Sequence, residues 1–182
     1  MKHIELINTY FTIARENDTP EKKYISHLMD TLYKYGAKCE GGHIVEIGVE
    51  TLISSWAWLK SNPSKITLCD ITFNRCKHIL PTYIYIANDN NIPVILEEKS
   101  SLDLQVTDVD LLFIDGKHTY KHVTQELKLL CKEVNGYIII HDTTKFKGVN
   151  NAVMEFLTNN SDFTMIEHIE EFPGLKVLKR VV

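Results

Sequence analysis

From residue 43 onward, apolar residues gather in short blocks that alternate with longer stretches of helical spacing. The blocks are HIVEI (43–47), KITLCDI (65–71), IPVILEE (92–98), VDLLFI (109–114) and GYIIIH (136–141). Blocks of Ile, Val and Leu without polar alternation predict strands buried on both faces. Between them, 51–61, 74–90, 120–134 and 148–160 predict helices, with Pro81 kinking or restarting the second of these. Ahead of the blocks, Ile4, Ile7, Tyr10, Phe11 and Ala14 share one face of a helix over 2–15. A second helix follows, capped by Asp18 or Thr19, with Pro20 in its first turn and Gly36 at its end. The last stretch, 162–182, reads as two strands joined across Pro173-Gly174, hence an antiparallel hairpin.

Helices of ten or more residues between buried strands imply right-handed crossovers and a parallel sheet. The expected fold is therefore α/β: a Rossmann-like, doubly wound sheet of seven strands, mostly parallel with the last antiparallel, flanked by helices. No repeat and no Gly-, Ser- or Pro-rich linker divides the 182 residues, so one domain spans 1–182. Within it, 1–40 forms an N-terminal helical extension and 43–182 the core. Ligands of such sheets bind beyond the carboxyl ends of the strands.

Composition narrows the partners. A net charge of −4 with scattered Lys and Arg offers no basic face, which argues against nucleic acid and anionic membranes. No early apolar run is long enough for a secretory signal or a membrane span. The four cysteines form no CxxC pair, and Cys69 sits within an apolar strand as a small core residue. These features lead to the expectation of a reduced, cytoplasmic protein.

The candidate chemistry lies at the strand ends. Asp70, twenty-two residues after Gly48, suits the two hydroxyls of a ribose or, equally, a cap at the strand end. Asp115 leaves its strand into Gly116 with His118 close behind, and the next strand ends in His141-Asp142. Neighbouring parallel strands lie about 5 Å apart, so Asp115 and His141-Asp142 can converge on one ligand or cation. Two carboxylates suit Mg²⁺, and added imidazole shifts the preference toward Mn²⁺, Fe²⁺ or Zn²⁺. His118 is the better general acid/base candidate, whereas His122 reads as a solvated residue. Trp56 and Trp58 are not expected to face inward together on one helix. Tyr83 and Tyr85 read as core or surface.

The order of these pieces resembles the class I S-adenosylmethionine-dependent methyltransferases. The resemblance covers about residues 43 to 182 and is strongest at VDLLFIDGKHTYKHVTQELKLLCKEVNGYIIIHDT. That stretch looks like the FIDG-x-H-x-Y … HD signature of a branch that includes small-molecule and sugar O-methyltransferases. The resemblance implies that Glu46 and Gly48 border the methionine part of S-adenosylmethionine, Asp70 its ribose, and Ser100 and Ser101 its adenine. It places Asp115 beside the methyl-transfer centre. Asp115, His141 and Asp142, with Thr143 following, match the residues that hold a divalent cation in metal-dependent relatives. The implied reaction is methyl transfer to an oxygen of a small hydroxylated acceptor such as a sugar. Without a cation, His118 or His141 removes the proton, so Asp115, His118 and His141 form the catalytic set.

Several positions depart from the pattern: Lys117 stands where a second acidic residue is common, and Asn135-Gly136 replaces a glycine pair. Leu52 and Ile53 stand where the branch has a glycine pair, and Glu50 replaces another small residue, which leads one to expect a narrowed cofactor cleft. The alternative reading is therefore a catalytically silent binding or assembly module on the same fold. An NAD-dependent dehydrogenase is disfavoured by the absence of GxGxxG. The N-terminal helices could lid the acceptor pocket or build a homodimer face.

Overall fold

The computed structural model describes residues 2–16 and 24–181. The expected cap at Asp18, Thr19 and Pro20 lies outside the described residues. Two helices, α1 (Lys2–Glu16) and α2 (Tyr24–Gly36), precede strand β1 (His43–Ile47), helix α3 (Ser55–Lys60) and strand β2 (Lys65–Asp70). Then come α4 (Leu80–Asp89), β3 (Val94–Glu98), β4 (Val109–Ile114), α5 (Tyr120–Leu130) and β5 (Val134–His141). Helix α6 (Lys147–Asn159) and the hairpin strands β6 (Phe163–Ile169) and β7 (Leu175–Arg180) complete the chain.

The seven strands form one sheet in the order β3-β2-β1-β4-β5-β7-β6. β1 pairs in parallel with β2 and β4, β2 with β3, and β4 with β5. β7 runs antiparallel to both β5 and β6. The chain order reverses between β1 and β4, so the crevice beyond those two strand ends is the expected ligand site.

The unbroken apolar runs of the central strands follow from the layers. Ile44, Leu111, Phe113 and Ile139 face a core built with α1 to α4. Val45, Ile47, Leu112, Ile114, Ile138 and Ile140 face α5 and α6 on the other side. β3 differs from the reading of a strand buried on both faces. It is an edge strand with Ile95 and Leu96 exposed, and among the described residues nothing pairs with its outer side.

Three helix boundaries also move. The segment before α3 is a series of turns, so that helix begins at Ser55 rather than residue 51. α4 begins at Leu80, with Pro81 in its first turn, so the proline starts this helix. Val134, placed in a helix by its spacing, opens β5. Trp56 and Trp58, in contrast to the expectation, are both buried. Trp58 packs against Phe113 of β4, while Trp56 stacks on Tyr10 of α1 with ring centroids 4.4 Å apart. The extension thus supplies an outer layer that covers the second face of α3. Tyr83 is core and Tyr85 is exposed.

Candidate active site

β1 runs directly into Gly48, which has φ +83° and donates its N–H to the carbonyl of Cys69. A methyl group at Gly48 would overlap the carbonyl oxygen of Asp115 and lie 2.8 Å from the Cα of Gly116. Only glycine lets the β1 and β4 ends approach this closely. The next two amides, of Val49 and Glu50, donate to Asp70 Oδ2 at 2.8 and 3.0 Å, and Thr72 N–H donates to Oδ1 at 3.2 Å. Asp70 therefore shapes two turns as well as lining the cleft; Oδ1, with one backbone partner, retains acceptor capacity.

Glu50 and Leu52 have φ of +47° and +67°, so the turn keeps a glycine-like backbone without the glycines. Leu52 is fully buried in the core, and only its neighbours, Thr51 and Ile53 among them, line the cleft. The cleft measures about 1170 Å³, so the bulk at 50–53 does not close it.

Glu46 is not among the residues lining that cleft. It lies fully buried, its two carboxylate oxygens accepting from the hydroxyls of Ser54 and Ser55. Burial pushes its carboxyl up to about 8, against the opposing pull of the two serines. Its place is beneath the turn, where it ties β1 to the start of α3.

At the centre, β4 and β5 deliver Asp115 and His141-Asp142 side by side. His141 Nδ1 lies 3.0 Å from Asp115 Oδ1. His118 Nε2 sits 3.2 Å from both Asp115 Oδ1 and Asp142 Oδ2, and its ring stacks on Phe146. Lys145 Nζ reaches Asp142 Oδ2 at 3.4 Å. Burial opposes ionisation of Asp115, yet His141 and His118 outweigh it and hold the carboxyl below its ordinary range. Burial likewise opposes the charge on His141, but Asp115 and then Asp142 raise its pKa above the ordinary value.

Among the described residues, the donors able to share one cation are Asp115, His118 and Asp142, with ligand atoms within 4.8 Å of one another. This set holds His118 in place of the expected third ligand, His141, whose Nδ1 lies 3.0 Å from Asp115 Oδ1. Asp142 Oδ1 is buried without a hydrogen-bond partner among the described residues, which suits an oxygen that could serve a cation.

At the opposite end of the cleft, Ser100 and Ser101 follow β3, and His122 of α5 joins them. The solvated reading of His122 does not hold: its Nε2 lies 3.1 Å from Ser101 Oγ and 3.3 Å from Glu126 Oε1. Ser101 Oγ donates to Glu126 Oε1 at 2.5 Å. Glu126 went unseen in the sequence, although a signal exists there. It shares the inward side of α5 with Val123, Leu127 and Leu130, where an apolar residue is expected.

A second cavity of about 310 Å³ opens beside the first, between α2 and the β6–β7 turn. Leu28, Ile169, Pro173 and Leu175 give it apolar walls, with His27 and Glu171 as polar members. Tyr24, Leu28 and His141 line both cavities. The N-terminal extension is therefore a wall of the site.

No protein-family model matches the chain, and no curated protein does. Solved structures do. A methyltransferase from Podospora anserina bound to S-adenosylhomocysteine aligns with a TM-score of 0.66 at 12% identity, over 97% of this chain and 88% of that one. An O-methyltransferase from Bacillus cereus in complex with S-adenosylhomocysteine gives 0.63 at 14%, over 100% and 91%. A methyltransferase from Geobacter sulfurreducens gives 0.65 at 13%, over 98% and 90%. At these identities the likeness establishes the fold alone: the chain shares the sheet architecture of these methyltransferases.

Proposed function

We propose that the chain is an S-adenosylmethionine-dependent methyltransferase acting on a hydroxyl oxygen of a small acceptor, a sugar or another hydroxylated molecule. One observation carries this reading. On a methyltransferase sheet, the ends of β1, β2, β3, β4 and β5 all contribute to one open cleft, and His141 joins that cleft to a second cavity. The larger space suits the cofactor and the smaller one the acceptor.

S-adenosylmethionine, when bound, supplies a methyl group on sulfonium for attack by the acceptor oxygen. The protein's share is to position the reactants and accept a proton. Asp115 accepts from His141 Nδ1–H, which fixes the imidazole tautomer and leaves Nε2 as the base. His118, held between two carboxylates and stacked on Phe146, is positioned to organise that centre. Asp115, His118 and Asp142 would hold a divalent cation, which lowers the pKa of an acceptor hydroxyl. With His141 raised above 6.5, its neutral form grows as pH rises, so kcat increases with pH through and above that value.

A silent binding module is the second reading, favoured by the two loop amides that already occupy Asp70 Oδ2. The test is S-adenosylhomocysteine release from S-adenosylmethionine across a panel of sugars, phenols and other small alcohols. Turnover with one acceptor class, lost in His141→Ala, supports the enzyme. Absence of both S-adenosylmethionine binding and turnover on any acceptor, in a folded chain, supports the silent module.

A further inference from the structure

Glu50 and Arg75 come from different loops and meet at the rim of the large cleft. Glu50 belongs to the turn after β1, and Arg75 to the run of turns between β2 and α4. Arg75 Nη1 donates to Glu50 Oε1. Both residues line the cleft, yet the two side chains are 60% and 66% exposed, so they stand at its mouth and not on its floor.

Neither loop depends on this pair for its shape. The Glu50 backbone is placed by its own N–H, which donates to Asp70 Oδ2 at 3.0 Å. The Arg75 loop is anchored from inside by Phe73 and Cys76, both buried, with the Cys76 N–H donating to the Phe73 carbonyl at 3.2 Å. An ion pair this exposed contributes little to stability. What it adds is a second connection between the loops. Half-buried Asp70 already ties them through the amides of Val49, Glu50 and Thr72, and the ion pair ties them again at the surface. Glu50 also stands where the pattern that the sequence resembles has a small residue, and a small residue could not reach Arg75.

We infer that Glu50 and Arg75 form an ion-pair strap at the mouth of the cleft that slows both entry and exit of its ligand. This rests on the cofactor reading above and adds a regulation to it: exchange quickens as ionic strength rises, because salt screens an exposed pair. The strap is made between protein groups alone, equally in the free and the ligand-bound chain. Its loss therefore speeds both steps alike and leaves the equilibrium affinity nearly unchanged. A side chain that touched the ligand would change the affinity instead.

The experiment is surface plasmon resonance with S-adenosylhomocysteine over the immobilised full chain, which reads association and dissociation separately. Glu50→Gln and Arg75→Met should each raise kon and koff by about two- to fivefold, the range of an exposed ion pair, with Kd unchanged within about twofold. Raising salt from about 0.05 M to about 0.5 M should speed exchange in the unaltered chain and much less in either variant. Exchanging the charges, Glu50→Arg with Arg75→Glu, should restore slow exchange, and thermal unfolding checks every variant for folding. Rates unchanged in both single variants overturn the inference while leaving the cofactor reading intact. So does a Kd that weakens in Glu50→Gln but not in Arg75→Met, which would make Glu50 a contact of the ligand. Failure of the unaltered, folded chain to bind the ligand overturns both readings.

Discussion

The Cα of Gly48 sits against the backbone of Asp115, so closely that one added methyl group would overlap the Asp115 carbonyl oxygen. Gly48 also has φ +83°, a conformation that costs a side-chain-bearing residue about 1 kcal/mol or more. The turn that opens the cleft and the strand that carries the central carboxylate are thus set by one glycine.

Gly48→Ala should therefore lower stability by about 2–4 kcal/mol and abolish S-adenosylhomocysteine binding. Denaturant unfolding and titration calorimetry check the two effects. Unchanged binding would show that the β1 and β4 ends can separate without harm.

Glu46 should make stability fall with pH. Its folded pKa, about 8, stands above the ordinary 4.5, so the native state holds a proton that the unfolded chain has released. Its contribution is fully present below pH 4.5 and is lost as pH rises through about 8. Glu46→Gln, which cannot titrate, should flatten this part of the decline when melting is followed from pH 5 to 8.5. A parallel profile in both proteins would mean that Glu46 is ionised in the fold.

His141 should separate chemistry from binding. His141→Ala should lower kcat by about 10²- to 10⁴-fold, the usual worth of a general base. S-adenosylhomocysteine affinity should change little, and the rise of kcat with pH should disappear. Asp115→Asn should shift that rise to lower pH, because it removes the foremost group that raises the His141 pKa. A kcat rise that stays in place in Asp115→Asn would break the proposed pair.

The stacked rings of Tyr10 and Trp56 should hold the extension onto α3. Trp56→Ala should cost about 3–5 kcal/mol, and the double mutant with Tyr10→Ala should reveal a coupling of about 1 kcal/mol. Zero coupling in chemical denaturation would make α1 a passive cover.

The sheet was legible because its signal is burial: HIVEI, VDLLFI and YIIIH have no polar face to hide. The Asp115, His141 and Asp142 convergence was legible for the same reason, since parallel pairing fixes which strand ends are neighbours. What stayed hidden depends on tertiary contact. Trp56 and Trp58 can both be buried only because α1 covers the outer face of α3, which no local period reports. His122 reads as solvated until the residues after β3 bring Ser101 to it, twenty-one positions away. Glu46 and Gly48 sit two residues apart on one strand end, yet one is sealed below the turn and the other forms it. Leu52 carries a left-handed backbone without glycine because its side chain is buried in the core, and sequence spacing alone suggests obstruction instead.

The most direct measurement of the central claim is calorimetric titration of the full chain with S-adenosylhomocysteine. One site per chain is expected, with Kd below about 100 µM, and that site is lost in Gly48→Ala. No detectable heat with ligand at about 1 mM, in a chain shown to be folded, would contradict it.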